Sequence, residues 1–423
     1  MGAVIPAKIL GLEGQVIKDV VFDEESGRVR VICDRDRRRR PVDHRTGRQG
    51  SVNRLLRRTV LDVPLGGHPC EVEIQYAETY LSPSSIRVER LSFVSPKARV
   101  TRRYARLIAG MARHMPISTV SRHTGLSWDS VKAIECAHLA ETMPIPRPNT
   151  LEGIRYLGAD EVARAKGQSY FTLVYDLSPG ANYGRILWVK EGRDQATLLE
   201  FLDALTQDCA DGIEAVALDR GPAYIAAVQT SLPKAAIVFD RFHVMQMFAK
   251  VIRDCRRAQF KAAKKLDDLD GQRTLKGSLW LLLSNRITLK ETDQGRLDQL
   301  LAQNQPLAAL YALKEPLQCL WQTHSTVAQM NARLDDWCGM ALAAKIAGLN
   351  DFVKTVQSHR TGICAYADHP ITTSRLEAGN VSIALLRRRA RGFRDMTYFK
   401  LKIFQLNTQD SPSFLYPYKH KAS

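Results

Sequence analysis

The chain has no closely spaced cysteine pair. Cys33, Cys70, Cys136, Cys209, Cys255, Cys319, Cys338 and Cys364 stand singly along 423 residues. That spacing excludes a disulfide framework and predicts reduced thiols, as in a cytosolic compartment. No apolar stretch approaches the length of a membrane span, and the densest patch, Leu279 to Leu283, reads as part of a helix. The N-terminus lacks a signal-peptide layout. Pro6 stands where a myristoylation motif beginning at Gly2 needs Ser or Thr. These absences predict a cytoplasmic protein with no membrane segment. Internal repeats are also missing. Acid is in short supply, with 44 Asp+Glu against 61 Lys+Arg and a net charge of +17.

What is present is otherwise ordinary for a globular chain: 45% hydrophobic and 25% charged residues, with length for two to four domains. The basic excess suits a partner with phosphates, because neutralising phosphates releases condensed counterions. Residues 1–100 alternate short β-prone runs (Val20-Val21-Phe22, Val29 to Ile32, Val72 to Ile74) with Gly and Pro breaks, predicting a β-rich basic module. Inside it runs Arg35-Asp36-Arg37-Arg38-Arg39-Arg40, followed by Arg45, Arg48, Arg54, Arg57 and Arg58. Such a run is commonly a solvated face, but an almost pure Arg run suits bidentate phosphate contact. Arg37, Arg38, Arg39 and Arg40 are the candidates. Cys33, His44, His68 and Cys70 have poor spacing for zinc, so core cysteines and surface histidines are expected instead, and no zinc.

Residues 101–143 turn helical. Arg102, Arg103, Arg106 and Arg113 decorate a segment whose apolar positions are Tyr104, Leu107, Ile108 and Met111. Pro116 can open a second helix at its first position, Gly125 supplies a sharp turn, and Ser127 can cap a third helix that turns Val131 and Ile134 inward. This is a helix-turn-helix pattern; the plain alternative is any helical hairpin. In the former, the last helix enters the major groove and Trp128, Asp129, Ser130 and Lys132 lie nearest base edges and phosphates. Pro144-Ile145-Pro146-Arg147-Pro148 then reads as a linker.

Beyond the linker, strands are predicted at 156–160, 168–177, 185–190, 214–218 and 235–239, with helices at 194–207 and 222–231. From 243 to about 358 the chain reads as helical, with breaks near Gly271 and Pro306, and a last helix starts at Thr373 or Ser374. The order β-β-β-α-β-α-β followed by a late helix is that of an α/β ribonuclease-H-like core. In that architecture the first and fourth strands are neighbours, so Asp160 and Asp219, at their ends, converge, and Glu377 on the closing helix completes a carboxylate cluster. Hard oxygen ligands of this kind suit Mg²⁺ or Mn²⁺, and a two-ion site performs in-line displacement at phosphorus. Taken singly, an Asp at a strand end is more often a turn or helix cap. Glu161 follows Asp160 and points to the opposite face. Asp240 and His243 either cap the next helix or sit near the site. Asn380 lies one turn after Glu377, suited to orienting a phosphate or water. Arg387, Arg388 and Arg389 form a basic cluster suited to phosphate contact.

Gly158-Ala159-Asp160-Glu161, Lys166-Gly167, Tyr170, Asp176-Leu177, Asp219 with Tyr224, and Asp240-Arg241-Phe242-His243-Val244 resemble the successive blocks of a DDE transposase, most closely the ISL-three group of bacterial insertion sequences. Arg375-Leu376-Glu377-Ala378-Gly379-Asn380, with the later Arg387 to Arg394 stretch, resembles that group's Glu-Gly-x-Asn helix and basic Gly-Phe-Arg ending. Two departures stand out: Ala378 replaces the group's Gly, and most cysteines of the group's N-terminal zinc module are absent. The resemblance implies Asp160, Asp219 and Glu377 as the metal-binding triad. It implies a core whose first part is 149–244, a helical insertion at 245–365, a closing segment at 366–407 and a tail at 408–423. It further implies a transposase that binds terminal inverted repeats and target double-stranded DNA, as a homodimer or larger synaptic assembly. A non-catalytic DNA-binding regulator derived from a transposase, or a structure-selective nuclease, shares much of this pattern.

Overall fold

The computed structural model describes residues 7–43, 45–82, 85–164, 169–219, 221–322 and 325–408. His44, Lys166 and Gly167, named above, lie outside them. The chain forms two compact units, one from residues 1–144 with 386–423, the other from residues 145–385.

The first unit begins with a sheet of β1 (Gln15–Asp23), β2 (Arg28–Arg35), β3 (Ser51–Leu65), β4 (His68–Ser82) and β5 (Ser85–Val88), in the order β1-β2-β4-β3 with β5 also on β4. β2 and β4 run parallel and the other pairs antiparallel. The alternation in Arg28-Val29-Arg30-Val31-Ile32-Cys33 sends Val29, Val31 and Cys33 into a core with Val60, Cys70, Val72 and Ile74. Gly66 and Gly67 both take positive φ (61° and 85°), the backbone that a two-residue hairpin between β3 and β4 requires. Burial pushes the thiols of Cys33 and Cys70 up to about 12 and about 11.

Three helices follow: α1 (Arg102–His114), α2 (Ile117–Thr124) and α3 (Trp128–Thr142). Thr101 caps α1 and donates to the buried Asp62 Oδ1 at 2.6 Å, and Arg103 pairs with the same carboxylate, so α1 is locked to β3. Gly125 ends α2 at φ 68°, and Ser127 caps α3 by accepting the Ser130 N–H at 3.2 Å. Pro116 takes the cap position of α2, not its first helical residue, because its ψ of 145° is extended.

The second unit holds a sheet of β6 (Tyr156–Ala163), β7 (Tyr170–Asp176), β8 (Arg185–Glu191), β9 (Ala215–Leu218) and β10 (Ala236–Phe239), ordered β10-β9-β6-β7-β8. β6–β7 and β7–β8 pair antiparallel, β6–β9 and β9–β10 parallel. One face carries Leu157, Ala159, Val174 and Leu187 against α4 (Gln195–Leu202) and α6 (Pro222–Ser231). The helix expected over 194–207 stops at Leu202. Thr206 starts a new short one, α5 (Gln207–Asp211), by accepting the Cys209 N–H.

The long helical stretch comprises α7 (Arg241–Lys265), α8 (Leu269–Leu275), α9 (Leu279–Leu283), α10 (Glu291–Gln303), α11 (Gln305–Cys319), α12 (Val327–Ala343), α13 (Leu349–Ser358) and α14 (Arg360–Cys364). Gly271 lies within α8, the break falling just before it. Pro306 sits in the first turn of α11, where its missing N–H costs nothing. Phe248, Trp337 and Phe352 meet ring to ring at 5.4–5.8 Å in its core. Lys314 is buried there. Its Nζ donates to Leu282 O at 3.1 Å and to Ser284 O, and lies 3.9 Å from the Tyr311 ring centroid. Burial lowers its pKa from 10.5 to about 8.

α15 (Ser374–Arg389) starts in the second unit and runs into the first, where α16 (Met396–Phe404) packs on α3. Glu135 of α3 is fully buried and accepts from Lys402 Nζ at 2.6 Å and from the Tyr398 hydroxyl; Lys402 also donates to Ala112 O at 3.2 Å. Burial lowers the Lys402 pKa against the pull of Glu135.

Two expectations follow. Lys402→Met strands the Glu135 carboxylate and is expected to cost about 3–5 kcal/mol in urea denaturation, most of it recovered by adding Glu135→Leu; a double variant no more stable than the single would overturn this. For Lys314 the folded pKa is depressed, so its burial penalty is constant below about pH 8 and fades as pH rises towards 10.5. Wild-type stability relative to Lys314→Met should therefore climb only in that window, which paired denaturation curves at pH 7 and pH 10 will measure.

Candidate active site

The register of β6 on β9 sets the first two acids. Ala159 lies opposite Leu218 in the parallel ladder, so Asp160 and Asp219, the next residues along, come side by side at its end. The neighbouring backbones there are spaced at about 4.8 Å. Asp160 does not end its own strand, contrary to the sequence expectation: β6 continues to Ala163 because β7 extends the antiparallel ladder, pairing Asp160 with Leu173 and Ala163 with Tyr170. Alternation puts Gly158 and Asp160 on the face opposite α4 and α6, and leaves Glu161 exposed on the other.

α15 covers the Asp160 face. A Cβ on Gly158 would stand 2.9 Å from Leu376 Cδ1, and one on Gly379 would stand 2.5 Å from the Tyr175 hydroxyl. Both glycines are therefore needed for the helix to seat this closely. Seated so, Asn380 Nδ2 donates to Asp160 Oδ2 at 2.7 Å. The Glu161 N–H occupies Asp160 Oδ1 at 2.7 Å. Asn380 thus orients a carboxylate, where the sequence suggested a phosphate or water.

Glu377 lies in the first turn of α15, and its Oε1 is buried without a hydrogen-bond partner. Burial raises its pKa, Asp240 and Asp160 add to the rise, and His243 opposes it. Burial likewise raises Asp160, with Asp219 adding to it. His243 places Nδ1 3.5 Å from Asp219 Oδ1. Asp240 serves two helices: Oδ2 accepts the Phe242 N–H at 2.9 Å, capping α7, and Oδ1 accepts the Thr373 N–H at 3.3 Å, just ahead of α15. Of the alternatives weighed for this pair, the structure shows the helix cap at Asp240, with His243 beside Asp219. The dual cap had no sequence signal, since Thr373 is 133 residues away.

Carboxylates beside an orphaned buried oxygen have the donor chemistry of a hard divalent cation. Among the described residues, no three His, Cys, Asp or Glu side chains stand close enough together to ligate one ion.

The sequence-named basic residues are distributed differently. Arg37, Arg38, Arg39 and Arg40 are exposed after β2, with Arg38 on Asp36 at 3.0 Å, whereas Arg35 is buried on Glu89. Arg54 and Arg57 are tied across the sheet to Glu78, Glu73 and Asp34. At the start of α3, Trp128 is 47% exposed, Ser130 bonds Ser127, and Lys132 pairs with Asp395 at 2.7 Å. Arg387, Arg388 and Arg389 form the last turn of α15, with Arg388 exposed. No helix among the described residues is long and apolar enough to cross a membrane.

Asp240→Ala should cost about 2 kcal/mol, two N-terminal acceptors at roughly 1 kcal/mol each, and Asp240→Asn about half of that. Urea denaturation gives the size. Amide exchange must quicken at both Phe242 and Thr373; quickening at Phe242 alone would refute the dual cap.

Comparison with known proteins matches residues 157–403 to the model of a DDE transposase family, ISL3, and residues 89–135 to the helix-turn-helix domain of transposase family ISL3. A transposase for insertion sequence element IS1001 from Bordetella parapertussis is 32% identical over 397 residues, covering 93% of this chain and 95% of that protein. A transposase for insertion sequence element IS1557 from Mycobacterium tuberculosis is 27% identical over 288 residues, 64% of this chain and 63% of its own length.

Proposed function

Because the chain belongs to the ISL3 family of DDE transposases, we propose that Asp160, Asp219 and Glu377 are its catalytic triad, acting on the terminal inverted repeats of an insertion sequence. The observation that carries the proposal is the parallel register of β6 and β9, which sets Asp160 beside Asp219 on neighbouring strands of one sheet. The strand order, with three antiparallel strands followed by two parallel ones, supports a ribonuclease-H-like core. On that reading the helical block at 245–365 is an insertion before the closing helix of 366–407. Residues 1–100 and 101–143 are the DNA-binding modules, and 408–423 a tail.

DDE transposase chemistry depends on divalent metal in general; Asp160, Asp219 and Glu377 stand too far apart here to share one ion, so they would have to draw together to hold Mg²⁺, with Mn²⁺ as a substitute. When bound, the metal activates the attacking oxygen and offsets charge on the leaving one. The chain's own residues provide the frame. Asn380 fixes the Asp160 carboxylate, His243 stands beside Asp219, and Asp240 ties the start of α7 to the start of α15. The orphaned Glu377 oxygen supplies a further donor. Water first hydrolyses the phosphodiester at the element end, and the exposed 3′-hydroxyl then attacks a phosphodiester of target double-stranded DNA. No side chain becomes covalently attached. Joining two ends requires two active sites together, so a homodimer or larger synaptic assembly does the work, on DNA in the cytoplasm. Arg37, Arg38, Arg39 and Arg40, with Trp128, Ser130, Lys132, Arg387, Arg388 and Arg389, would contact DNA.

The test is strand cleavage and joining on end-containing duplex with Mg²⁺. Asp219→Asn and Glu377→Gln should fall to the metal-free background while still binding the duplex. Wild-type levels of joining in either variant would overturn the triad.

A further inference from the structure

The stretch after α15 is held in a defined conformation. Arg391 and Gly392 take left-handed φ of 55° and 100°, and the Gly392 N–H reaches back to Arg387 O at 2.9 Å, a helix-ending geometry. Phe393 then lies flat on Phe399 of α16, with centroids 4.2 Å apart and planes 3° from parallel. Asp395 caps α16 through the Tyr398 N–H and takes the ion pair from Lys132 of α3. α16 is itself bound to α3 by the buried Glu135–Lys402 pair. The loop is thus fastened to the last helix of the helix-turn-helix once directly, by Lys132 on Asp395, and once through α16.

Its arginines face a cleft of about 650 Å³ between the loop and the starts of α2 and α3. Arg389, Arg391 and Arg394 line that cleft, together with Trp128 and Lys132. Arg391 and Arg394 are exposed. Asp395 is the only acid among the described lining residues, and Lys132 already neutralises it. Guanidinium groups on a loop that is already fixed lose little freedom on binding and match phosphate oxygens two at a time.

We propose that Arg389, Arg391 and Arg394 form one DNA-binding surface with the start of α3, gripping the duplex backbone beside the bases that α3 faces. The inference rests on the DNA-binding role of the helix-turn-helix and extends it to a segment more than 240 residues away in sequence. The charge of the cleft selects a polyanionic backbone over a protein partner. Because the arginines bind phosphate, they add affinity without reading sequence.

The experiment is fluorescence anisotropy of the full chain on a terminal-repeat duplex and a scrambled duplex, from about 50 to about 200 mM salt. Removing one arginine from its phosphate lowers the slope of log affinity against log salt by about 0.9. Arg391→Gln with Arg394→Gln should therefore flatten the slope by about 1.8, so the wild-type advantage shrinks about tenfold across that range. Both duplexes should be affected alike, and Arg391→Lys with Arg394→Lys should keep the wild-type slope. An unchanged slope in the glutamine variant, or a lysine variant as flat as the glutamine one, would overturn the proposal. Wild-type protein that binds both duplexes equally would instead count against terminal-repeat recognition, and the slope comparison would still decide this one.

Discussion

Close seating of α15 on the second unit's sheet is the constraint from which the site geometry follows. Two side chains must be missing for it: one at Gly158, where Leu376 lies over β6, and one at Gly379, where the helix passes the Tyr175 hydroxyl. Leu376 and Tyr175 are both almost wholly buried, so the contact is a packed one and resists being opened. Only with the helix this low does the Asn380 amide come within 2.7 Å of Asp160. The glycine in Glu377-Ala378-Gly379-Asn380 is therefore a spacing element. Ala378, right after the acid, is exposed on the far side of the helix, and Gly379 is the residue that meets the sheet.

Electrostatics in the two units work in opposite ways. In the first, three deeply buried charges meet an opposite one: Arg35 with Glu89, Asp62 with Arg103, Lys402 with Glu135. Such pairs contribute little net stability but penalise every arrangement that separates them, so they fix which surfaces meet. In the second unit the acids are left under tension. Asp160 and Glu377 are raised by burial and by neighbouring negative charge, and one Glu377 oxygen lacks a partner. Sites built to receive charge carry this signature, because structure alone would favour neutral residues there.

Much of this was legible in the sequence, and the limits have physical causes. The alternating strands, the cap at Ser127 and the left-handed Gly125 announce themselves locally, through period, capping chemistry and backbone freedom. The position of Asp160 within its strand is not local, because strand length is set by the neighbour: β7 carries β6 on to Ala163 after β9 has stopped at Leu218. The arginines of the first unit look alike as letters. Only cross-strand register separates Arg57, held by Asp34 and Glu73, from Arg37 in the exposed turn. Glu135, Tyr398 and Lys402 gave no signal either. Each is an unremarkable residue on a helix until the fold brings segments 263 and 267 residues apart together.

That last cluster bears on the order in which the molecule becomes whole. Chains emerge from the ribosome N-terminus first, and domains generally fold as units in that order. Here the carboxylate at Glu135 is made early, while the lysine and tyrosine that satisfy it lie at Lys402 and Tyr398, after every proposed catalytic residue has been synthesised. The unit that starts the chain is consequently the one finished last. Until then its third helix carries a bare acid on a face meant to be buried, and a shortened chain ending before α16 is an unfinished DNA-binding unit and not a smaller one.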